Sequence, residues 1–382
     1  MLVAGEPSGD AHAASLARAL RERAPQVEFE FFGSTGAQMR DEGVEEVVRA
    51  DDLAIMGIVE VGRVLPKFWR AFQKLKRAAR ERKPDAVILV DWPEFNLRLA
   101  RALHRKGLRV IYYISPQLWA WRSYRVRSIR RDVDLLLSIL PFEPEWYAAR
   151  GITHAKFIGH PLTGEVQAKH GRAEFCARHK LDAARPIVAL LPGSRHKEIE
   201  RILPPMLDAA AELSRSNPEI QFVLALAQTR PRAEAEAIIS KHQAKPQSLL
   251  LVQHETRETL HAADAAAIAS GTATLEAALL GTPFVIVYRE SFINWHTLGR
   301  LIHAEHFGLV NLIAGERVVT ELMQDDLTGA KLSKELLALL NKERNQALRA
   351  RLHEITAKLG TGEASARAAY AILNFIGEEK KA

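Results

Sequence analysis

The stretch from Ala269 to Leu280 follows an apolar run and reads as a strand end, a tight polar turn and then an Ala/Leu helix. Ser270 or Thr272 would cap that helix, and Gly271 would let the backbone come close to a ligand. The free N–H groups of the first turn favour an anion, above all a diphosphate. One turn further on, Glu276 could accept hydrogen bonds from two vicinal sugar hydroxyls. A diphosphate cradle followed by a ribose-reading carboxylate points to a nucleotide-sugar site, although an ordinary capped helix of an α/β domain uses the same residues.

Other residues suited to chemistry also follow apolar runs. Asp91 comes directly after Val87 to Val90, and Trp92 and Phe95 could desolvate it, which would raise its pKa and make it a better proton acceptor. The alternative is that Asp91 and Asn96 only organise the turn that Pro93 needs. Arg195, in Pro192-Gly193-Ser194-Arg195, offers a guanidinium suited to the negative charge of a departing diphosphate; a rim salt bridge is the plainer reading. The turn Gly5 to Asp10 is neither a dinucleotide fingerprint nor a Walker loop, and could bind a phosphate or sugar hydroxyl or simply supply Ser8 or Asp10 as a helix cap. Asp132 and Asp134 imitate a metal-binding DxD pair, but Asp134 runs into the amino end of a strand and reads as structural. The 14 histidines show no HExxH or close Cys/His spacing, so no metal site and no cofactor are expected.

The elements that must position these residues alternate. In the first half, strands are expected at Leu2 to Ala4, Phe29 to Phe32 (ending at Gly33), Ala86 to Val90, Arg109 to Ile114, Leu135 to Leu140 and Ala155 to Ile158, with helices at Ala11 to Arg23 and Leu97 to Lys106. A second alternation gives strands at Ile187 to Leu191, Gln221 to Ala227, Leu249 to Gln253, Ala265 to Ala269 and Phe284 to Tyr288, and the tail from Leu332 onward reads as mostly helical. Strand and helix in repetition argue for two parallel, doubly wound α/β sheets, whose ligands sit at the carboxyl ends of the strands. The oddest residues stand at those ends.

A chain of 382 residues is long enough for two or three domains. One cysteine, Cys176, excludes an internal disulfide framework and fits a reducing compartment. No signal-like segment and no apolar run long enough to span a bilayer is found, so a cytoplasmic or peripheral protein is expected. The net charge of +7 points to anionic partners. Arg122, Arg125, Arg127, Arg130 and Arg131 could hold a phosphate, lie on anionic lipid or form a solvated face; no reader motif accompanies them, so nucleic acid is not expected. The segment Pro66 to Lys83 is amphipathic, with Val61, Leu65, Phe68, Phe72, Leu75 and Ala79 on one stripe and Trp69 at its edge, which fits either an interfacial membrane helix or core packing. Just upstream, Leu53 to Val61 is apolar enough to suit the entry of acyl chains.

Gly5 to Asp10, Met56 to Val61, Asp91 to Asn96, Ser115 to Arg122, Leu140 to Glu143, Gly159 to Leu162, Leu191 to Arg195, Ser270 to Glu276 and Asn311-Leu312 together closely resemble the lipid-A-disaccharide synthase family, in family order across nearly the whole chain. The resemblance implies a GT-B fold, two Rossmann-like doubly wound domains facing a cleft. Residues 1–163 would bind the acceptor, 164–345 the UDP-sugar donor, and a helical tail, 346–382, would pack back on the N-terminal domain. It implies transfer from UDP-2,3-diacylglucosamine to the 6-hydroxyl of 2,3-diacylglucosamine 1-phosphate, giving the β-1,6-linked disaccharide 1-phosphate and UDP. An α-linked donor and a β-linked product imply inversion, with Asp91 as base and Arg195 and the helix start at Ser270 to Thr272 stabilising UDP in place of a metal. Ser194 would help at the donor and Glu276 would hold the ribose, while Asn311 and Gln324 match positions that the family places near the donor. Glu6, Ser8, Asn96, Gln117 and Arg122 are the acceptor-side candidates. The implied setting is cytoplasmic and peripheral to the inner membrane, on an anionic surface, with a homodimer left open. Only Met1 and Leu2 precede Val3, where the family has a fuller first strand. Two other classes stay open from the residues: an enzyme such as a UDP-N-acetylglucosamine 2-epimerase on the same scaffold, which the apolar stretch 53–61 argues against, and a non-enzymatic, basic, membrane-docking protein that binds a UDP-sugar.

Overall fold

A computed structural model of the chain describes residues 1–52, 61–291 and 306–379. The apolar stretch 53–60 lies outside the described residues, as do the side chains of Val61 and Leu65. The chain divides into two compact units, the first made of Met1–Pro161 and Leu359–Ala382 and the second of Leu162–Lys358.

Among the described residues, the first unit holds the strands β1 (Leu2–Val3), β2 (Phe32–Thr35), β3 (Glu45–Arg49), β4 (Val87–Val90), β5 (Val110–Tyr113), β6 (Leu135–Ser138) and β7 (Ala155–Phe157). They form one parallel sheet in the order β3-β2-β1-β4-β5-β6-β7. Side chains alternate across it, as period 2 requires. Val87, Leu89, Val110 and Tyr112 join Leu75, Ala79, Leu99 and Leu103 in one core, from the helices Val61–Arg82 and Pro93–His104. Ile88, Val90, Ile111 and Tyr113 join Leu16, Ala17, Leu20 and Ala368, Ala369, Ile372 in the other, from the helices Pro7–Arg23 and Ala364–Glu379. Both faces are therefore dry, which is why the strands read as unbroken apolar runs.

The second unit holds β8 (Ile187–Leu191), β9 (Gln221–Leu226), β10 (Leu249–Gln253), β11 (Ala265–Ala269), β12 (Phe284–Tyr288) and β13 (Glu321–Met323), again all parallel, in the order β10-β9-β8-β11-β12-β13. In each sheet the strand order reverses once, between β1 and β4 in the first and between β8 and β11 in the second. A crevice opens at the carboxyl end of such a switch point, and ligands of open α/β sheets bind there.

Some expectations need correction. The second strand lies at Phe32–Thr35 rather than Phe29 to Phe32, because its ladder pairs Gly33 and Ser34 with Leu2 and Val3; the Phe29 and Phe31 rings stack 5.4 Å apart just before it. β3 and β13 were not legible, since one is a charged, largely exposed edge strand and the other has three residues. The second unit runs on to Lys358, past the expected limit at 345. Asn341 accepts the N–H of Arg344 at 3.1 Å and so restarts a helix, Lys342–Ala357, whose Leu352 and Ile355 are buried. The chain re-enters the first unit at Leu359.

Candidate functional site

Asp91 leaves β4 at the switch point of the first unit. Asp91 and Trp92 both adopt left-handed backbone conformations (φ 48° and 49°), which side-chain-bearing residues occupy only when their surroundings hold them there. Asp91 N donates to the Tyr113 carbonyl at 3.0 Å, and the Asp91 carbonyl accepts from Asn96 Nδ2 at 2.8 Å and from the Tyr112 hydroxyl at 2.6 Å. Asn96 Nδ2 also reaches the Val90 carbonyl at 3.1 Å. The Trp92 ring stacks on Phe95 at 4.2 Å and covers Gly5, where an added Cβ would stand 2.1 Å from the indole. Burial pushes the Asp91 carboxyl up to about 6, the negative charge of Glu6 adds to this, and the Trp92 backbone N–H partly opposes it.

The other residues of this corner divide by role. Asn96 is fully buried and its Nδ2 is spent on the backbone of the turn, while its Oδ1 has no partner among the described residues. Glu6 and Ser8 are exposed where the helix Pro7–Arg23 begins, and no side chain caps that helix. Asp10 caps the following helix instead, accepting from the N–H groups of Gly36, Gln38 and Met39 at 2.9, 2.9 and 3.1 Å. Gln117 is exposed. Arg122 is bound to Glu94, which Arg125 also reaches at 2.7 Å, so two cations of the arginine cluster share one carboxylate. Arg131 pairs with Asp132 at 2.6 Å, and Asp134 accepts the Val110 N–H at 2.7 Å, so both acids serve the structure. Among the described residues no group of three or more His, Cys, Asp or Glu side chains could hold a metal ion.

Glu143 stands in a motif that carries the resemblance, but sequence reasoning gave it no role. It is 1% exposed and accepts from Ser115 Oγ (2.8 Å), Trp119 Nε1 (3.1 Å) and Leu140 N (3.2 Å), so it anchors the loop that carries Gln117. Burial pushes its carboxyl up to about 7 against those three donors. The stripe Phe68, Phe72, Leu75 and Ala79 faces the core, and both Phe rings meet Phe95, at 6.2 and 5.9 Å. Trp69 stays 63% exposed beside the exposed Lys67, Arg70 and Lys74. Among the described residues no helix is long and apolar enough to cross a membrane.

In the second unit, the turns after β8 and β11 line one cavity of about 700 Å³, together with Gln167, Lys169, Gln228, His254, Thr256, Arg257 and Glu276. Gly193, Ser194 and Arg195 come from the first turn and Ser270, Gly271 and Thr272 from the second. Arg195 ends the turn at the head of the helix His196–Ser216, with its side chain 81% exposed. Glu198 accepts the N–H groups of Ser194 and Arg195 at 3.0 and 3.1 Å and a guanidinium N–H of Arg195 at 2.9 Å. Those amides are therefore spent, and the Arg195 side chain is tethered at the cavity wall.

Neither Ser270 nor Thr272 caps the helix Thr272–Leu279. Its first residue is Thr272 itself, Gly271 precedes it and no side chain caps it, while Ser270 Oγ lies 3.5 Å from the Phe307 carbonyl. Gly271 has φ 151°, a conformation that favours glycine, and a Cβ there would meet nothing within 4 Å. The helix start is thus uncapped, and its first amides and the positive end of the helix dipole would favour an anion. Glu276, one turn on, is held by Arg257 Nε and Nη2 at 3.1 and 3.0 Å.

Asn311 and Gln324 are not among the residues lining this cavity. Asn311 is buried, with Oδ1 accepting from Val318 N and Val319 N at 2.9 Å each and Nδ2 donating to Val319 O and Glu321 Oε1 at 2.9 and 2.8 Å. Its amide is fully used inside the protein. Gln324 Oε1 lies 3.3 Å from Glu290 N, and its Nε2 is buried without a partner among the described residues. Gln228, His254 and Arg257 went unnoticed in the sequence, although each follows the end of β9 or β10 and the strand-end rule could have found them.

The family model for lipid-A-disaccharide synthetase matches residues 1–375. A lipid-A-disaccharide synthase of Acidobacterium capsulatum is 45% identical over 378 residues, covering 96% of this chain and 92% of that protein. Among solved structures, the S. aureus MnaA-UDP co-structure superposes with a TM-score of 0.66 at 11% identity, covering 98% of this chain and 96% of that one. MurG of Acinetobacter baumannii gives 0.56 at 14% identity, covering 99% and 98%. The two structural likenesses speak to the fold alone and agree with the GT-B type. The family match and the identity with the Acidobacterium enzyme, each over nearly the whole chain, make this chain a member of the lipid-A-disaccharide synthase family, the glycosyltransferases of lipid A biosynthesis.

Proposed function

We propose that this enzyme transfers 2,3-diacylglucosamine from its UDP derivative to the 6-hydroxyl of 2,3-diacylglucosamine 1-phosphate. The observation that carries the donor half is the 700 Å³ cavity, whose wall combines an open helix start, a tethered arginine and a carboxylate one turn along. Its volume falls within the range of about 300–1,000 Å³ typical of small-molecule sites. The diphosphate lies at Ser270 to Thr272 and Arg195, with Ser194 beside it, and Glu276 takes the ribose hydroxyls.

Asp91 is the base. It removes the proton of the acceptor 6-hydroxyl as that oxygen attacks the anomeric carbon, and the bond to UDP breaks on the opposite side, so the configuration inverts. Charge developing on the departing diphosphate is met by Arg195 and by amides that need no reorganisation. A carboxyl raised to about 6 is deprotonated at neutral pH and still basic enough to help. Glu6, Ser8, Gln117 and Arg122 remain the acceptor-side residues, and Asn96 contributes by holding the Asp91 corner. Asn311 acts on the fold of the second unit.

Both substrates carry acyl chains, so the enzyme works at a membrane surface as a peripheral, cytoplasmic protein. The exposed Trp69 with Lys67, Arg70 and Lys74 suits such a surface. The test of the reaction is incubation with the two acylated glucosamines, followed by mass analysis and by proton coupling at the new anomeric centre. Disaccharide 1-phosphate with a β linkage, plus UDP, is the expected product. An epimerised UDP-sugar, or no release of UDP, would refute the reading.

A further inference from the structure

Arg257 stands in the first turn of the helix Thr256–Ala262 after β10 and lines the same cavity as Glu276. Two of its donors, Nε and Nη2, close on a single oxygen, Glu276 Oε1, at 3.1 and 3.0 Å. A third, Nη1, donates to the Glu165 carbonyl at 2.7 Å, in the short helix Leu162–Glu165 that opens the second unit. Nearby, Lys169 N donates to Glu258 Oε1 at 3.1 Å, so the segment that forms one wall of the cavity is tied to the helix of Arg257 by two bonds. Glu276 Oε2 receives no hydrogen bond from the described residues.

We propose that Arg257 is the positioning residue for ribose recognition. Its fork fixes Oε1 so that Oε2 is presented to the vicinal hydroxyls of the nucleotide, and its third bond holds the guanidinium plane in place. The inference rests on the assignment of Glu276 to the ribose. Three features support it. A free glutamate would have to lose side-chain freedom on each binding event, and the fork removes that freedom beforehand. A bare carboxylate would also repel a diphosphate in the same cavity, and the guanidinium compensates its charge without consuming both oxygens. The pair is only partly exposed, at 36% and 18% of the two side chains, so solvent screens it incompletely.

The probes are UDP and 2′-deoxyuridine diphosphate, titrated calorimetrically against the whole protein and against Glu276→Gln, Arg257→Gln, Arg257→Lys and the Glu276→Gln/Arg257→Gln double variant, with thermal unfolding to confirm that each is folded. The wild type should prefer UDP by about tenfold, the worth of one well-made hydrogen bond to a charged group. Glu276→Gln and Arg257→Gln should each reduce that preference to about twofold or less, and the double variant should lose no more than either. Arg257→Lys should fall between, since an ammonium cannot make the fork. If Glu276→Gln loses the preference while Arg257→Gln keeps it in full, the role of Arg257 is overturned and the ribose assignment stands. If Glu276→Gln keeps it, the ribose assignment fails and takes the proposal with it. Should Arg257→Gln not fold, the lysine variant decides, and full preference there overturns the proposal.

Discussion

The corner after β4 and the cavity at the ends of β8 and β11 occupy equivalent places in two similar sheets, yet they are built in opposite ways. Around Asp91 the partly buried surroundings are largely apolar, with Trp92 and Phe95 stacked at 4.2 Å, Tyr112 and Asn96 spent on the backbone, and the carboxyl lifted to about 6. Around Ser270 to Thr272 the helix start is uncapped and the space beside Gly271 is empty, while Arg195 stands 81% exposed. The difference suits the chemistry proposed for each. Accepting a proton needs a carboxylate that water does not over-stabilise, so burial is useful even though it opposes ionisation. Holding a diphosphate needs donors and positive charge that are not already satisfied, so openness is useful even though it leaves the helix end without a cap.

Variants can break this contrast at either end. The largest effect is expected for Asp91→Ala, which should lower the transfer rate by about two to four orders of magnitude while leaving UDP affinity, measured by titration, close to wild type. Arg195→Ala should follow, losing about two to three orders of magnitude in kcat. Normal turnover in either folded variant would withdraw its role.

Stability should move the other way at Asp91. Its folded pKa of about 6 lies above the ordinary 3.8, so between those values the folded protein holds a proton that the unfolded chain has released. Stability therefore falls as pH rises from about 4 to 6, and the ionised form at neutral pH carries a penalty of roughly 3 kcal/mol. Asp91→Asn should recover much of it in denaturant unfolding at pH 7 while remaining inactive. An unchanged midpoint would mean that water solvates the Asp91 carboxylate and that burial does not raise its pKa.

Asn311→Ala sharpens the other side. Removing an amide that makes four bonds, three of them buried, should destabilise the fold by about 2–4 kcal/mol with little change in UDP affinity once folded protein is compared. A large loss of affinity without a loss of stability would return Asn311 to the donor site. The smallest effect is expected from a chelator: EDTA should leave activity largely intact, and abolition restored by magnesium would contradict the role given to Arg195 and the open helix start.

Much of this arrangement was legible in the sequence because strands buried on both faces leave uninterrupted apolar runs, as at Val87 to Val90 and Ala265 to Ala269, and polar residues directly after them mark the ligand edge. What was hidden depends on contacts distant in the chain. Asp10 reads as a cap for its own helix, but its three donors come from residues 36–39. Glu143 finds Ser115 and Trp119, 28 and 24 residues away, and Arg257 finds Glu276 at a distance of 19. No local pattern encodes such pairings. The amphipathic stripe at Phe68 and Phe72 was ambiguous for a different reason, since a face that packs on Phe95 and one that would lie on lipid have the same period.

Burial around Asp91 is proposed to tune its carboxyl to accept a proton. The most direct test is the pH dependence of kcat/KM for sugar transfer, which reports ionisations of the free enzyme and substrates. The base acts only when deprotonated, so the rate should be lost as pH falls through about 6, with tenfold loss per unit below it. A profile that stays flat from pH 5 to 8, or one whose acid limb lies near the ordinary aspartate value of 3.8, would contradict the account.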